Sequence, residues 1–242
     1  MTRVGVVGAA GRMGQEVCRA VEADADLDLV ASIDVDDDLA SLVQRGCEVV
    51  VDFTVVDSAR RTIPFLADNG IHAVVGTSGF DESDHETFRR AFTTSNCLLA
   101  PNFAVGAVLM TRFAEIAAPF FDTAEIIEYH HDGKVDAPSG TATHTAERMA
   151  AASSDWAPDP TTLEVYPGVR GGEGPAGIRI HAVRMRGVVA NQEVLLGTMG
   201  QTLAIRHETV DRTSFMPGVV LACKRISDFP GLTIGLDSYL GL

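Results

Sequence analysis

Residues 4–14 read VGVVGAAGRMG, an apolar run that passes directly into a glycine-rich turn. Gly8, Gly11 and Gly14 follow a predicted strand, Val4–Val7, and stand at the start of a predicted helix. Glycines here permit a tight turn, close approach of the backbone to a pyrophosphate, and tight packing of helix on strand. The spacing is GxxGxxG, because Ala10 takes the place of the second glycine of the commoner GxGxxG. The stretch predicts the first turn of a dinucleotide-binding domain.

The first hundred residues alternate short apolar runs with segments of helical spacing. The predicted strands are Val4–Val7, Leu27–Ile33, Val49–Phe53, Ala73–Val75 and Cys97–Ala100. The predicted helices are Arg12–Ala23, Leu39–Arg45, Ser58–Asn69 and Glu82–Thr94. Pro64 is expected to kink or shorten the third of these helices. Such alternation predicts βαβ units and a buried parallel sheet, hence the α/β class.

After Pro101 the pattern changes. A helix is expected at Val105–Phe121, a strand at Glu125–His130, a helix from about Thr141 to Ala152, strands at Ile178–Met185, Val188–Leu196 and Thr202–His207, a helix near Ser214–Ile226 and a strand at Leu232–Leu236. Closely spaced strands without helices between them predict a mixed or antiparallel sheet in a second, α+β domain. The Pro/Gly-rich stretch 153–177 is expected to be a flexible connection or an active-site loop.

The expected division of the chain has two domains. Residues 1–104, completed by 215–242, form the dinucleotide-binding domain, and residues 105–214 form the second domain.

Composition limits the partners. The formal net charge is −14, and no basic cluster is present, so a nucleic-acid or anionic-membrane surface is not expected. No segment has the apolar length of a bilayer span, and no secretory signal is visible. The four cysteines are far apart, without CxxC or zinc-like spacing, and are expected to be reduced thiols. A cytoplasmic location is therefore expected.

Asp34 strengthens the cofactor prediction. It ends the second predicted strand, 20 residues after Gly14, where a carboxylate accepts hydrogen bonds from the adenosine ribose. Alternatively, it belongs to a solvated acidic run with the aspartates at 36, 37 and 38. These acids favour NADH because they repel a 2′-phosphate. Arg12 follows the second glycine and is placed to reach such a phosphate, so NADPH remains open.

Two further strand ends fit the same crevice. Phe53-Thr54 and Gly76-Thr77-Ser78-Gly79 each end an apolar run with small or hydroxyl residues, where a parallel sheet presents its carboxyl edge to a ligand. Taken singly, each is equally an ordinary βα turn. Their joint occurrence after the glycine turn favours the cofactor site.

Residues 129–142, YHHDGKVDAPSGTA, carry the chemical signal. The chain has only two lysines beside seventeen arginines, yet Lys134 stands here. Two histidines, His130 and His131, stand here as well, and histidine suits general acid–base work because its unperturbed pKa lies near working pH. Ser139 could cap the next helix and leave the N–H groups of Gly140 and Thr141 to an anion. The stretch predicts an anionic carboxylate substrate.

Blander explanations remain for the histidines. Adjacent strand residues face opposite ways, so the two cannot share one role, and both could simply be solvated at a strand end. A metal site at His130, His131, Asp132 or Asp136 is not expected, because no tetrahedral ligand spacing emerges.

The sequence resembles the bacterial 4-hydroxy-tetrahydrodipicolinate reductases, also called dihydrodipicolinate reductases, along essentially its whole length. The matching motifs are GAAGRMG at 8–14, DFT at 52–54, GTSG at 76–79, APNFAVG at 100–106, HHDGKVDAPSGTA at 130–142 and DRTSF at 211–215. The 130–142 segment is highly specific, whereas the glycine turn is not. The resemblance implies a Rossmann-like domain that regains the tail of the chain and a substrate domain that assembles a homotetramer.

The resemblance also implies residue roles. His130 is the expected proton donor and acceptor, Lys134 a second proton donor, and His131, Gly140 and Thr141 are expected to hold substrate carboxylates. The dinucleotide is expected to contact Gly8, Ala9, Ala10, Gly11, Arg12, Met13, Asp34, Gly76, Thr77, Ser78, Ala100, Pro101, Asn102 and Phe103. Asn191 departs from the family, where histidine is usual, and it cannot titrate.

The implied reaction is reduction of 4-hydroxy-tetrahydrodipicolinate, with loss of water, by NADH or NADPH in diaminopimelate and lysine biosynthesis. A catalytically silent NAD(P)-binding regulator would share the glycine turn but have no use for His130 with Lys134. A sugar or inositol dehydrogenase typically has a Glu-Lys-Pro segment, which this chain lacks. An aldehyde dehydrogenase needs a cysteine nucleophile, and none is close to residues 130–142 in sequence.

Overall fold

The computed structural model describes all 242 residues, Met1–Leu242. The strands are β1 Thr2–Val7, β2 Leu27–Ile33, β3 Val49–Asp52, β4 His72–Val75, β5 Asn96–Leu99, β6 Thr123–His130, β7 Gly172–Glu173, β8 Arg179–Arg184, β9 Ala190–Thr198, β10 Gln201–Thr209 and β11 Gly231–Ile234. The helices are α1 Arg12–Ala23, α2 Ala40–Gln44, α3 Val56–Asp68, α4 Glu82–Ala91, α5 Val105–Ala117, α6 Gly140–Ala152, α7 Met216–Arg225 and α8 Asp237–Leu240. The chain divides into two compact units, Met1–Val105 with Arg212–Leu242, and Gly106–Asp211.

The first unit contains a six-stranded sheet with the order β11-β5-β4-β3-β1-β2, in which every neighbouring pair is parallel. All four residues of β3 are buried, as expected for a strand covered on both faces. The strand order reverses between β1 and β3. Ligands of such sheets bind beyond the carboxyl ends of the strands at this reversal.

Two details of the first unit concern its helices and its tail. Helix α3 continues through Pro64 to Asp68, so the proline does not shorten it, although its missing N–H removes one helical hydrogen bond. The returning tail adds β11, which pairs in parallel with β5 from Gly231 to Ile234.

The second unit contains a five-stranded sheet with the order β10-β9-β6-β8-β7. β6 and β8 are parallel, and the other pairs are antiparallel. Its core joins this sheet to α5 and α6 through Ala114, Ile126, Ala142, Ala146, Met149, Ile180, Val194 and Leu196. The observed parallel sheet and the second, mixed sheet confirm the predicted fold class.

The stretch 153–177 contains little regular structure: β7 and a short 3₁₀ turn at Pro175–Gly177. None of the helices combines the length and the apolar character that a membrane span requires.

Candidate active site

The glycine turn after β1 is closely packed. Gly8 has φ +81°, and a Cβ at Gly14 would lie 2.0 Å from the carbonyl oxygen of Gly8. The N–H of Gly11 donates to that same oxygen at 3.0 Å. Only glycine allows this approach of α1 to the turn, and the start of the 12-residue α1 offers N–H donors to an anion.

Asp34 braces this turn. Its carboxylate accepts hydrogen bonds from the backbone N–H groups of Ala10 and Val35, each at 2.8 Å. The Ala10 bond, followed by the Val35 bond, lowers the pKa of Asp34 below its ordinary value. Asp34 therefore lies directly after β2, the position that the sequence predicted, and its ionised carboxylate has backbone partners that the sequence did not reveal.

A cavity of about 690 Å³ lies at these strand ends. Of the predicted cofactor residues, its lining includes Gly8, Gly11, Asp34, Phe53 and Thr54. The lining also includes residues that the sequence analysis did not assign: Asp37 and Asp38 from the acidic run, and Arg61 from α3. Arg12 does not line it.

The turns after β3 and β4 meet through Asp52. Its Oδ1 accepts from the Thr54 hydroxyl at 2.7 Å and from the Thr77 hydroxyl at 2.8 Å, and the Thr54 N–H donates to the Thr77 hydroxyl at 3.0 Å. Asp52 is fully buried, its Oδ2 has no partner, and burial raises its pKa. The structure thus joins two predicted cofactor residues through a third that was not predicted, although the DFT motif contained it.

Phe53 links the other predicted residues. A Cβ at Gly76 would lie 2.1 Å from the Phe53 ring, so only glycine leaves the ring in place. The ring of Phe103 lies 5.7 Å from it, centroid to centroid. Ala100 is buried and donates its N–H to Val75, whereas the remaining predicted positions at these loops are exposed or half-buried: Ser78, Pro101 and Asn102.

His130 and His131 have different environments. His130 is the last residue of β6, with its Nδ1 2.5 Å from the Glu128 carboxylate, and its side chain is 16% exposed. His131 lies beyond the strand and is exposed. Burial lowers the pKa of His130, Glu128 raises it, and the charges of Lys134 and Arg184 lower it further.

Lys134 lies in a turn that follows directly. Its N–H donates to the carbonyl oxygen of His131 at 3.1 Å, and its Nζ contacts both carboxylate oxygens of Asp136. The lysine hydrogen bond lowers the pKa of Asp136.

Ser139 caps α6 as predicted. Its hydroxyl accepts from the N–H of Ala142 at 3.2 Å. Gly140 is the first residue of the helix and is exposed, and a Cβ built on it would meet nothing within 4 Å. Thr141 is the second helical residue, so the structure brings both predicted carboxylate-binding residues to the start of one helix.

Sequence reasoning missed the ion pair beside His130, between the buried Glu128 and the half-buried Arg184. Arg184 on β8 donates to both Glu128 oxygens at 2.8 Å. Alternation in β6 offered a signal, since Glu128 shares a face with the buried Ile126. Its partner could not be read without the β6–β8 register.

Three further points of the sequence analysis concern Asn191, the cysteines and a metal site. The Oδ1 of Asn191 accepts from the N–H of Thr209 at 3.1 Å. All four cysteines are free, and burial raises the pKa of the Cys97 thiol and raises that of Cys223 to about 12. No group of three or more histidine, cysteine, aspartate or glutamate side chains is arranged to hold a metal.

Comparison with protein families gives two matches that together span nearly the whole chain. Residues 2–103 match the family model described as dihydrodipicolinate reductase, N-terminus, and residues 106–240 match the one described as dihydrodipicolinate reductase, C-terminus.

Curated proteins that are similar to this chain share the name 4-hydroxy-tetrahydrodipicolinate reductase. A 4-hydroxy-tetrahydrodipicolinate reductase of Corynebacterium urealyticum is 51% identical over 249 residues, covering 100% of each chain. The reductase of the same name from Mycobacterium marinum is 52% identical over 244 residues, covering 99% of each.

Solved structures agree. A dipicolinate-bound dihydrodipicolinate reductase from Paenisporosarcina sp. TG-14 matches with TM-score 0.90 and 35% identity over 98% of this chain and 99% of that one. A probable dehydrogenase from Thermotoga maritima, at TM-score 0.62 and 10% identity over 98% and 92%, shares the fold alone.

Proposed function

The chain belongs to the dihydrodipicolinate reductase family, and we propose that it reduces 4-hydroxy-tetrahydrodipicolinate, with loss of water, to tetrahydrodipicolinate in diaminopimelate and lysine biosynthesis. The observation that carries this proposal is the segment 130–141, in which a half-buried imidazole, an ammonium and a capped helix start follow one another within twelve residues. These are the groups that a dicarboxylate reduction requires. The family assignment also favours this reductase over the sugar, inositol and aldehyde dehydrogenases.

The first unit is the proposed site of NADH or NADPH. A Cβ at Gly14 or Gly8 would fill the space of the turn, and such a cradle lets phosphates approach the start of α1. Asp34 is placed to accept hydrogen bonds from ribose hydroxyls, and Phe53 and Thr54 line the same cavity. A dinucleotide held there would supply the hydride for a ring carbon of the unsaturated imino dicarboxylate.

Cofactor preference follows from the charges around this cavity. Asp34, Asp37 and Asp38 line it and repel a 2′-phosphate, which favours NADH. Arg61 lines it as well and offers a compensating cation. We therefore propose use of both dinucleotides, with NADH preferred.

The second unit is the proposed substrate site. His130 donates the proton that balances the negative charge left when hydride adds, and regains it from water before the next cycle. Lys134 is a second donor, since an ammonium can release a proton that a guanidinium retains. His131, Gly140 and Thr141 hold the substrate carboxylates, with helix N–H groups placed to stabilise negative charge.

Assembly into a homotetramer is supported by the second sheet. In β9, Gln192, Val194 and Leu196 are buried, whereas the alternate residues are only half-buried, so the face opposite α6 has room for a partner. All four thiols are free and three of them are buried, which supports a cytoplasmic location.

The test is oxidation of NADH and NADPH by the purified protein, with substrate made in situ from pyruvate and aspartate semialdehyde by the preceding synthase. We expect oxidation only when the synthase is present, and faster with NADH. Dinucleotide binding without oxidation would refute the reductase and support the silent regulator.

A further inference from the structure

Glu128 is a fully buried carboxylate in the second unit, and its burial requires an explanation. It stands in β6 between Ile126 and His130 on the face that α6 covers. A buried charge is costly unless it is paired and hydrogen-bonded. The groups that hydrogen-bond to Glu128 therefore indicate which parts of the site this charge positions.

Four donors converge on this one carboxylate. Oε1 accepts from Arg184 Nη2 at 2.8 Å and from the Ser139 N–H at 3.1 Å, while Oε2 accepts from Arg184 Nη1 at 2.8 Å and lies 2.5 Å from His130 Nδ1. Burial alone would raise the pKa of Glu128, but the hydrogen bonds from Arg184 and then His130 lower it below its ordinary value, so the group is ionised. An ionised carboxylate only accepts, so His130 must donate from Nδ1. Its Nε2 is then the atom left for substrate.

Glu128 and Arg184 also hold the turn between His130 and α6. Ser139, the cap of α6, is tied to Glu128 through its N–H. Arg184 Nη2 additionally donates to the carbonyl oxygen of Asp136 at 2.6 Å. Movement of Glu128 would therefore displace the imidazole and the helix start together.

We propose that Glu128 is a positioning residue that selects the Nδ1–H tautomer of His130 and fixes that ring relative to the start of α6. The inference rests on the proposed function, because it assigns the proton donor and the carboxylate-binding turn to one buried anchor. A carboxylate that orients a catalytic histidine in this way commonly contributes a large share of turnover without contacting substrate.

Glu125, on the same strand, provides a matched control. It also contacts an arginine and a histidine, with Arg170 Nη2 at 2.6 Å and His181 Nε2 at 2.8 Å. It has no contact with His130 or Ser139 and is 33% exposed.

The first measurement is ¹⁵N NMR of the histidine rings in the wild-type protein, with His130 assigned by the resonances missing in His130→Gln. We expect the neutral ring of His130 to carry its proton on Nδ1. A neutral ring protonated on Nε2 would overturn the proposal. This measurement uses no substrate, so its failure is distinguishable from an absence of reductase activity, and it does not depend on the folding of a Glu128 variant.

The second measurement compares Glu128→Gln with Glu125→Gln in the coupled assay. We expect kcat of Glu128→Gln to fall roughly 10- to 100-fold or more, with the KM for NADH unchanged. We also expect the decline of kcat/KM with rising pH to move to lower pH, because the variant removes the charge that raises the pKa of His130 and leaves Lys134 and Arg184, which lower it. The profile of Glu125→Gln should match the wild type. A folded Glu128→Gln with wild-type tautomer and wild-type pH profile would refute the positioning role.

Discussion

Lys134 and Asp136 form a close ion pair, with Nζ 2.8 Å from one carboxylate oxygen and 2.7 Å from the other. The lysine side chain is 21% exposed, and the aspartate is 61% exposed. The ammonium of the second unit is therefore already directed to a carboxylate within its own loop. A substrate carboxylate would compete for it, and this competition makes the role of Lys134 measurable.

Lys134→Ala should lower kcat by roughly 100- to 10,000-fold, the range of a lost acid–base group, while the affinity for NADH changes little. Lys134→Arg should retain the charge, and with it the binding of an unreactive dicarboxylate analogue of the proposed substrate, for which pyridine-2,6-dicarboxylate serves as the probe, but not turnover. Steady-state kinetics and calorimetry measure the two effects.

The chain contains a matched control for this prediction. Lys224 in the first unit also contacts two carboxylates, Asp24 at 2.7 Å and Asp26 at 2.8 Å. Lys224→Ala should leave turnover unchanged. Near-normal turnover of Lys134→Ala would remove that residue from the mechanism.

Asp34→Ala should raise the Kd for NADH about 10-fold or more, because hydrogen bonds to a charged acceptor are lost and the turn at Ala10 loses its brace. The Kd for NADPH should rise less, since repulsion of the 2′-phosphate is relieved. Fluorescence titration with both dinucleotides measures the ratio. Asp36→Ala, an exposed neighbour outside the cavity lining, should leave the ratio unchanged. An equal loss for both dinucleotides at Asp34 would contradict the proposed ribose contact.

Gly140→Ala should leave thermal stability near wild type, because the added Cβ meets nothing within 4 Å. It should nevertheless raise the KM for substrate about 10-fold, by placing a methyl group beside the N–H proposed to bind a carboxylate. Gly14→Ala provides the contrast: its Cβ would lie 2.0 Å from the oxygen of Gly8, so we expect loss of stability. An unchanged KM in Gly140→Ala would argue against a carboxylate at the start of α6.

The effect of Asp52→Asn on stability, relative to the wild type, should become more favourable as pH rises. Burial raises the pKa of Asp52 in the folded protein above its unfolded value of about 4. The folded state therefore binds the proton more tightly, and the buried charge costs stability as pH rises from the unfolded pKa and through the folded one. Asparagine has no such charge, so the Tm difference, variant minus wild type, should increase across this window and then level off. Calorimetry at several pH values tests this, and a difference that decreases with pH would mean that Asp52 ionises more easily when folded.

The sequence predicted the parallel sheet well because its signals are local. The run Leu27–Ile33 and the helix Arg12–Ala23 have the same bounds in the structure as in the prediction. The apolar run of a buried strand and the glycines of the turn at Gly8 can both be recognised from residues that are neighbours in the sequence. The cap at Ser139 was predictable for the same reason.

Non-local contacts were not predictable. Arg184 is 56 residues from Glu128, and their pairing depends on the register of β8 against β6. Arg61, on helix α3, lines the cofactor cavity, whereas Arg12, which is adjacent to the glycines in sequence, does not. Charged residues whose partners come from another element thus require the fold itself.

The most direct test of the reductase mechanism is deuterium transfer. The coupled reaction is run with reduced nicotinamide that carries deuterium at its transferable position, and the product is analysed by NMR and mass spectrometry. We predict one deuterium on a ring carbon of tetrahydrodipicolinate for each dinucleotide oxidised. In Lys134→Ala, deuterium incorporation and dinucleotide oxidation should fall by the same factor. Oxidation of the dinucleotide without deuterium in the ring product would contradict direct hydride transfer.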